Sequence, residues 1–376
     1  MIEDVISLTQ KLVLFNTVNP PGNEQDIAKY VGDLLADNGF TIDYHQLAIN
    51  RLTLIAEKGL SDTRPPIVLT GHFDTVPLGE KQWSDDPFTG TIKDGKIYGR
   101  GTSDMKGGIA SMIVASIEAF KDYEPQGGVR LIFTAGEEPG CHGALHLANT
   151  GYLMGKASAI IVGEPTSNVP AIGHKGALYL KVSASGKTAH SSMPELGDNA
   201  IYKAARAVTK IENFLFQAEK DDLHGYPTIN VGLIKGGKNL NSVPDHAEFT
   251  IDIRSTSRVK HSELLKRLSQ ELGEDVTFET LVDLPSVSSS ETSQFVKVVY
   301  AVCGIDPGNV TIRKSLPYMT DGAVLQQLYG GVPTVILGPG QAEMAHQTDE
   351  FCYTVKIEEA VEIYKNIILK NGETIL

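Results

Sequence analysis

Three short apolar runs most constrain the fold: Ile67-Val68-Leu69-Thr70, Val129-Arg130-Leu131-Ile132-Phe133-Thr134 and Ala159-Ile160-Ile161-Val162, each bounded by turn residues. Near-continuous apolar character over so few residues is that of strands buried on both faces. Helical stretches alternate with them, most clearly at 107–120 and after Gly140, and such alternation builds an α/β layered fold. Upstream, Ile2, Val5, Ile6, Leu8 and Leu12, then Ile27, Val31, Leu34 and Leu35, fall at helical spacing and predict two helices. Asn19-Pro20-Pro21-Gly22 separates them, because proline cannot donate to a helix ladder, and Gly39 is placed to end the second.

From about residue 176 the order changes. A strand at 177–185, a helix at 199–217, strands at 228–234 and 247–253, a helix at 260–272 and a strand at 276–281 are expected. This β-α-β-β-α-β order is the ferredoxin-like split pattern. After the polar stretch Ser286-Val287-Ser288-Ser289-Ser290, a helix at 294–302 and an apolar strand at 332–337 resume the first pattern. One domain is therefore expected inside another. Residues 1–175 and 287–376 would form a mixed-sheet α/β domain with helices on both faces, and 176–286 an inserted α+β domain.

Acidic residues outnumber basic ones, 46 to 33, for a formal net charge of −13. Such a chain repels polyphosphate and anionic lipid, so neither nucleic acid nor a membrane surface is an expected partner. There is no run of 18 successive apolar residues, and Met1-Ile2-Glu3-Asp4 has neither a basic nor an apolar leader character, so neither spanning nor export is expected. Cys141, Cys303 and Cys352 are an odd, scattered set without a Cys-x-x-Cys pair, which fits free thiols in a reducing cytoplasm.

Several apparent motifs fail when read in full. Gly99-Arg100-Gly101-Thr102-Ser103-Asp104 begins like a dinucleotide loop, but Asp104 stands where the third glycine belongs and would face the pyrophosphate. Gly186-Lys187-Thr188 ends like a phosphate loop, yet Lys181 occupies the place of its first glycine. Neither His-Glu-x-x-His nor Gly-x-Ser-x-Gly occurs. What remains is a set of acids and imidazoles just after the expected strands, where open α/β sheets place their ligands. His72 and Asp74 follow the first strand, Asp104 follows the Asp94-Gly95 hairpin, Glu137 and Glu138 follow the second strand, Glu164 the third and His346 the last. Each alone has an ordinary explanation, as a packed histidine or as an acid at a helix N-terminus. Gathered at one sheet edge, the carboxylates would repel one another and raise each other's pKa unless a cation neutralised them. Imidazole and carboxylate without thiolate suit zinc, and also cobalt or manganese. Two histidines and three carboxylates exceed one open tetrahedral site, whereas two ions about 3.5–4 Å apart with a bridging carboxylate would use all five.

Gly71-His72-Phe73-Asp74-Thr75-Val76-Pro77 and Gly99-Arg100-Gly101-Thr102-Ser103-Asp104-Met105-Lys106-Gly107-Gly108, then Glu137-Glu138, Gly163-Glu164-Pro165 and Ala345-His346, occur in the order of a known family. Over nearly its whole length the chain resembles the dinuclear-metal amidohydrolases that include succinyl-diaminopimelate desuccinylase, acetylornithine deacetylase, aminoacylase and bacterial glutamate carboxypeptidase. The desuccinylase and deacetylase branch is the most similar. The resemblance implies a zinc-peptidase-like catalytic domain and a ferredoxin-like lid that also makes a homodimer. It implies one ion on His72, Asp104 and Glu164 and a second on Asp104, Glu138 and His346. Asp74 would accept the other ring N–H of His72 on its carboxylate. Glu137 would be the general base, taking a proton from the attacking water and passing it to the leaving amine.

The inserted domain carries further matches. Gly186-Lys187-Thr188-Ala189-His190-Ser191-Ser192 resembles a lid segment whose histidine reaches the active site of the partner subunit, which makes His190 the candidate oxyanion donor. Asn239-Leu240-Asn241-Ser242-Val243-Pro244 and Asp252-Ile253-Arg254 resemble contacts to the substrate carboxylate, through Asn241 and Arg254. Thr320-Asp321-Gly322 resembles a loop near the substrate, with Thr320 and Gly322 as contacts. His174-Lys175-Gly176 departs from the paired arginines of the best-known desuccinylases, since Lys175 offers charge without a planar fork.

The implied reaction is hydrolysis of the amide of an N-acylated amino acid. N-succinyl-diaminopimelate, on the route to lysine, is the first expected substrate, with acetylornithine or a dipeptide-like amide next. Two other kinds of protein are weighed against this. A non-catalytic relative should have lost ligands or the base, and none is missing. A metal-dependent phosphoesterase would also use two ions, but the chain lacks a clear cluster of basic residues for phosphate.

Overall fold

Pairing of the apolar runs builds the sheet that positions everything else. The computed structural model describes residues 4–121, 124–151, 155–306 and 314–371, so Ile2 of the first expected helix lies outside the described residues. The chain divides into two units, one of Met1–Gly173, Ser288–Lys314 and Thr320–Leu376, the other of His174–Val287 and Ser315–Met319.

In the first unit six strands run side by side in the order Thr41–Ala48, Arg51–Lys58, Val129–Thr134, Ile67–His72, Ala159–Val162, Thr334–Ile336. Arg51–Lys58 pairs antiparallel with both of its neighbours, and the remaining pairs are parallel. Every residue of Ile67–His72, Val129–Thr134 and Ala159–Val162 is buried, so both faces of the sheet are covered. Helices Val5–Leu14, Gly107–Ala119 and Thr354–Lys370 pack together, as do His142–Asn149 and Gly322–Leu328. Asp4 starts the first helix by accepting the N–H groups of Ile6 and Ser7 at 3.1 and 3.0 Å, and Gly39, at φ +80°, follows the end of Gln25–Asp37. In the parallel strands His72 lies beside Thr134 and Thr70 beside Val162. Their carboxyl ends, and the loops that leave them, therefore reach one edge of the sheet.

In the second unit the strand order is Thr228–Gly236, His246–Ser255, Gly176–Ser185, Val276–Leu284, all antiparallel. With helices Ala200–Glu212 and His261–Leu272 the chain order is the expected β-α-β-β-α-β. Leu178, Leu180, Val182 and Phe249 alternate inward from the strands and pack with Ala204 and Leu268 of the helices. Thr228–Gly236 is an edge strand, mostly exposed, with Leu233 69% and Ile234 55% accessible. Among the described residues, no helix is long and apolar enough to cross a membrane.

Candidate metal centre

His72 closes strand Ile67–His72 and is 1% exposed. Its Nδ1 lies 2.9 Å from the main-chain carbonyl of Asp74. A carbonyl only accepts, so Nδ1 carries a hydrogen, and Nε2 is the ring atom that would be offered to an ion once its own proton is shed. That nitrogen faces Asp104 Oδ1 at 3.1 Å and Glu164 Oε1 at 3.6 Å. The other Asp104 oxygen lies 3.6 Å from His346 Nε2, which also meets Glu138 Oε2 at 3.1 Å. Asp104 thus turns one oxygen to each histidine. Ligand-capable atoms of His72, Asp104 and Glu138 lie within 4.8 Å of one another, as do those of His72, Glu137 and Glu164.

The expected bond between the Asp74 carboxylate and His72 is corrected. The ring faces the Asp74 carbonyl, while Asp74 Oδ1 stands 3.6 Å off. The carboxylate accepts instead the backbone N–H groups of Glu137 and Glu138, at 3.0 and 3.3 Å, and Asn19 Nδ2 at 2.9 Å. The physical reason is local. The turn after Val129–Thr134 leaves two N–H groups with no ladder partner, and a buried charged acceptor satisfies both. Asp74 therefore ties the imidazole to the glutamate pair through two different parts of one residue.

Burial pushes the Glu137 carboxyl well above its ordinary range, and Glu164, Asp321 and Glu138 add to this against the opposing His72. Glu164 is raised well and Glu138 raised by burial first and by the Asp104 charge next. Asp104 moves the other way: burial raises it, but the hydrogen bond and charge of His72, with His346, bring it below the usual carboxylate range. Burial pulls His72 down, yet its bond to Asp104 and the carboxylates around it leave it well above the ordinary imidazole value. His346 is raised, chiefly by its hydrogen bond to Glu138. Three carboxyls and both imidazoles are thus shifted toward their protonated forms while Asp104 is shifted toward its charged one, and a divalent cation would satisfy the crowded charge instead. Glu138 Oε1 is buried and has no hydrogen-bond partner among the described residues, as expected of an oxygen built to meet an ion. Carboxylate oxygens and imidazole nitrogens fit zinc, cobalt or manganese.

Asp321 is a neighbour that the sequence reading passes over. Its carboxyl joins Glu137 and Cys141 in a buried group, with Cys141 Sγ 3.6 Å from Glu137 Oε1. Burial raises Asp321 to about 6, and its Oδ2 accepts the Thr134 hydroxyl. The signal for it is its place inside Thr320-Asp321-Gly322, between the two residues singled out. Thr320 and Gly322 themselves are buried, and Thr320 Oγ1 accepts the Gly322 N–H at 3.0 Å, so they shape the turn that presents Asp321.

The remaining expected residues belong to the second unit. His190 is exposed, and its Nδ1 accepts the Ser192 N–H at 3.1 Å, which leaves the neutral ring's hydrogen on Nε2, free to donate. The exposed Asn241 adjoins this segment, its carbonyl accepting the Ser191 N–H at 3.1 Å. Arg254 pairs with Asp252, Nε to Oδ1 at 2.8 Å, and lies over the Tyr179 ring. Lys175 donates its ammonium to the Tyr226 carbonyl, and burial lowers its pKa.

Residues 68–370 match the profile of the peptidase family M20/M25/M40. The chain belongs to this family. A probable succinyl-diaminopimelate desuccinylase of Staphylococcus epidermidis is 32% identical to it, over 97% of each chain. An acetylornithine deacetylase of Vibrio vulnificus is also 32% identical, over 93% of this chain and 92% of its own. Among solved structures, a tripeptidase from Staphylococcus aureus superposes with a TM-score of 0.76 at 22% identity, covering 97% of each chain. A dinuclear metal-binding peptidase from Bacillus subtilis superposes with a TM-score of 0.69 at 17% identity, covering 99% of this M20 chain and 98% of its own. The expected architecture, a catalytic α/β domain with an inserted lid, agrees with these neighbours, and family membership makes the M20 chain a hydrolase.

Proposed function

We propose that this M20 chain is a two-ion amide hydrolase that removes the acyl group from an N-acylated amino acid. The observation that carries the reading is the division of Asp104 between two histidines, Oδ1 3.1 Å from His72 Nε2 and Oδ2 3.6 Å from His346 Nε2. His72, Asp104 and Glu164 would hold one ion and Asp104, Glu138 and His346 the other, with zinc the first choice and cobalt or manganese the alternatives. When bound, such ions polarise the amide carbonyl and acidify the attacking water. Glu137, buried and with its proton affinity raised, takes the water's proton and hands it to the leaving amine. His190 donates its Nε2–H to the developing oxyanion, and Arg254 with Asn241 receives the substrate carboxylate. The exposed edge strand Thr228–Gly236 supports a two-fold dimer through the second unit. Three free thiols support a reducing cytoplasm.

N-succinyl-diaminopimelate is the substrate favoured by the desuccinylase relatives, in a step of lysine biosynthesis. A second reading, acetylornithine deacetylation, is favoured by Lys175, whose ammonium donates to the Tyr226 carbonyl; an acetyl group needs no cationic partner. The test is kcat/KM for N-succinyl-diaminopimelate, N-acetylornithine and a tripeptide, each with zinc, cobalt and manganese. Preference for the succinyl substrate carries the first reading and preference for the acetyl one carries the second. No amide hydrolysis with any ion removes both.

A further inference from the structure

We infer that Glu350 is a positioning residue that holds Asp104 and His346 in register for the ion they share; this rests on the two-ion reading above. Glu350 is fully buried and lies four residues beyond His346. Its carboxylate is filled by one loop. Oε1 accepts the N–H groups of Ser103 and Asp104 at 2.8 and 3.0 Å, and Oε2 accepts the Gly101 N–H at 2.9 Å and Arg100 Nη1 at 2.8 Å. The Glu350 carbonyl takes the Gly99 N–H at 2.9 Å, and Arg100 Nη1 also reaches the Gln347 carbonyl at 3.2 Å. The segment bearing His346 and the loop bearing Asp104 are therefore joined along their length. On the loop's other side there is no slack, because a Cβ at Gly340 would collide with the Ser103 carbonyl oxygen.

The need for this brace follows from where the acids and imidazoles sit. His72 ends a central strand, and Glu164 stands two residues past another, so the sheet fixes them. Asp104 lies in the kinked turn Thr102–Lys106, itself at a non-helical φ of −123°, and His346 at φ +64° lies outside helix and strand, so no strand ladder holds either. Glu350 supplies what the ladder does not: a charged acceptor for the N–H of Asp104 itself and for its neighbours. An amide cannot replace it. With one oxygen instead of two, it leaves two of the four donors facing an NH₂ group whichever way it turns.

The test is Glu350→Gln, with zinc and cobalt affinities measured by competition with a chromophoric chelator beside the melting temperature of the chelator-stripped protein. Partners that orient metal ligands typically change affinity by about 10–100-fold when removed. The ion on the His346 side should weaken by that factor, the ion on the His72 side should weaken less, and kcat should recover when the weaker site is saturated. Two affinities equal to those of the unaltered protein would overturn the inference, as would equal weakening of both in step with a lower melting temperature of the stripped protein, which marks a purely structural brace. If Glu350→Gln does not fold, the double variant Arg100→Met with Glu350→Gln removes the unpaired guanidinium and carries the same expectation. An unaltered protein that binds fewer than two ions refutes the two-ion reading. An unaltered protein that binds two, with a variant identical to it, refutes the role of Glu350 alone.

Discussion

Asp74→Asn tests whether one buried carboxylate sets the glutamate turn. The side chain is fully buried and accepts three donors, from Glu137, Glu138 and Asn19. Asparagine brings one oxygen, so at least one of these buried donors loses its acceptor, at about 1–3 kcal/mol. The two bonds that survive fall from charge-assisted to neutral strength, about 1 kcal/mol each, giving a total of about 3–5 kcal/mol. For a unit of this size each kcal/mol moves the melting temperature by about 2–4 °C, so a fall of roughly 6–20 °C is expected in the ion-loaded protein. In chelator-stripped protein the same change removes a negative charge from crowded acids, and the fall should be smaller. A Glu137 shifted by an ångström should also lower kcat by about 10²-fold. Calorimetry with and without zinc, alongside turnover, reads all three. A loaded melting temperature within about 1 °C of the unaltered protein, with kcat intact, would refute the claim that this carboxylate holds the turn.

Glu137→Gln should keep both ions by elemental analysis and lose about 10²–10⁴ in kcat; loss of an ion would instead move Glu137 into the coordination sphere. His190→Ala should leave metal content unchanged and lower kcat by about 10²–10³-fold, and undiminished turnover would count against the oxyanion role. Burial lowers the pKa of His174 to about 4, so protonation favours the unfolded chain. Its contribution is present above about pH 6.5 and drains away as the pH falls toward 4, amounting to about 2–3 kcal/mol by pH 4.5. Urea midpoints from pH 7 to 4.5 should therefore fall less steeply in His174→Gln, and parallel slopes would disprove it.

Elements with a strong apolar period are the ones that can be read in advance. Helix Gln294–Val302 and strand Val129–Thr134 have the expected bounds. The helix expected at 199–217 stops at Glu212, and Phe214 and Phe216, two residues apart, stack edge to face beyond its end. Thr41–Ala48 has no fully buried residue, so this edge strand offers no apolar run to detect. Thr354–Lys370 does carry a signal, with Ile357, Ala360, Val361, Tyr364 and Ile368 buried at helical spacing, yet the sequence reading assigns no element there. At the site, acids and imidazoles after strands are visible as residue types, and the structure brings His72, Asp104, Glu138, Glu164 and His346 together. The supports are not visible. Asp74 is singled out as a residue but not for the bonds it makes, and Glu350 is not singled out at all, because both act on backbone N–H groups, which every residue but proline carries.

The two histidines differ in how they meet water. The side chain of His72 is 1% accessible and that of His346 is 55%. Ions held as proposed would leave at unequal rates, the outer one within reach of a scavenging chelator and the inner one held by the more deeply buried side chains. A sample dialysed against a different metal would then pass through a hybrid form carrying two unlike ions, so metal identity assigned from bulk content alone would describe a mixture.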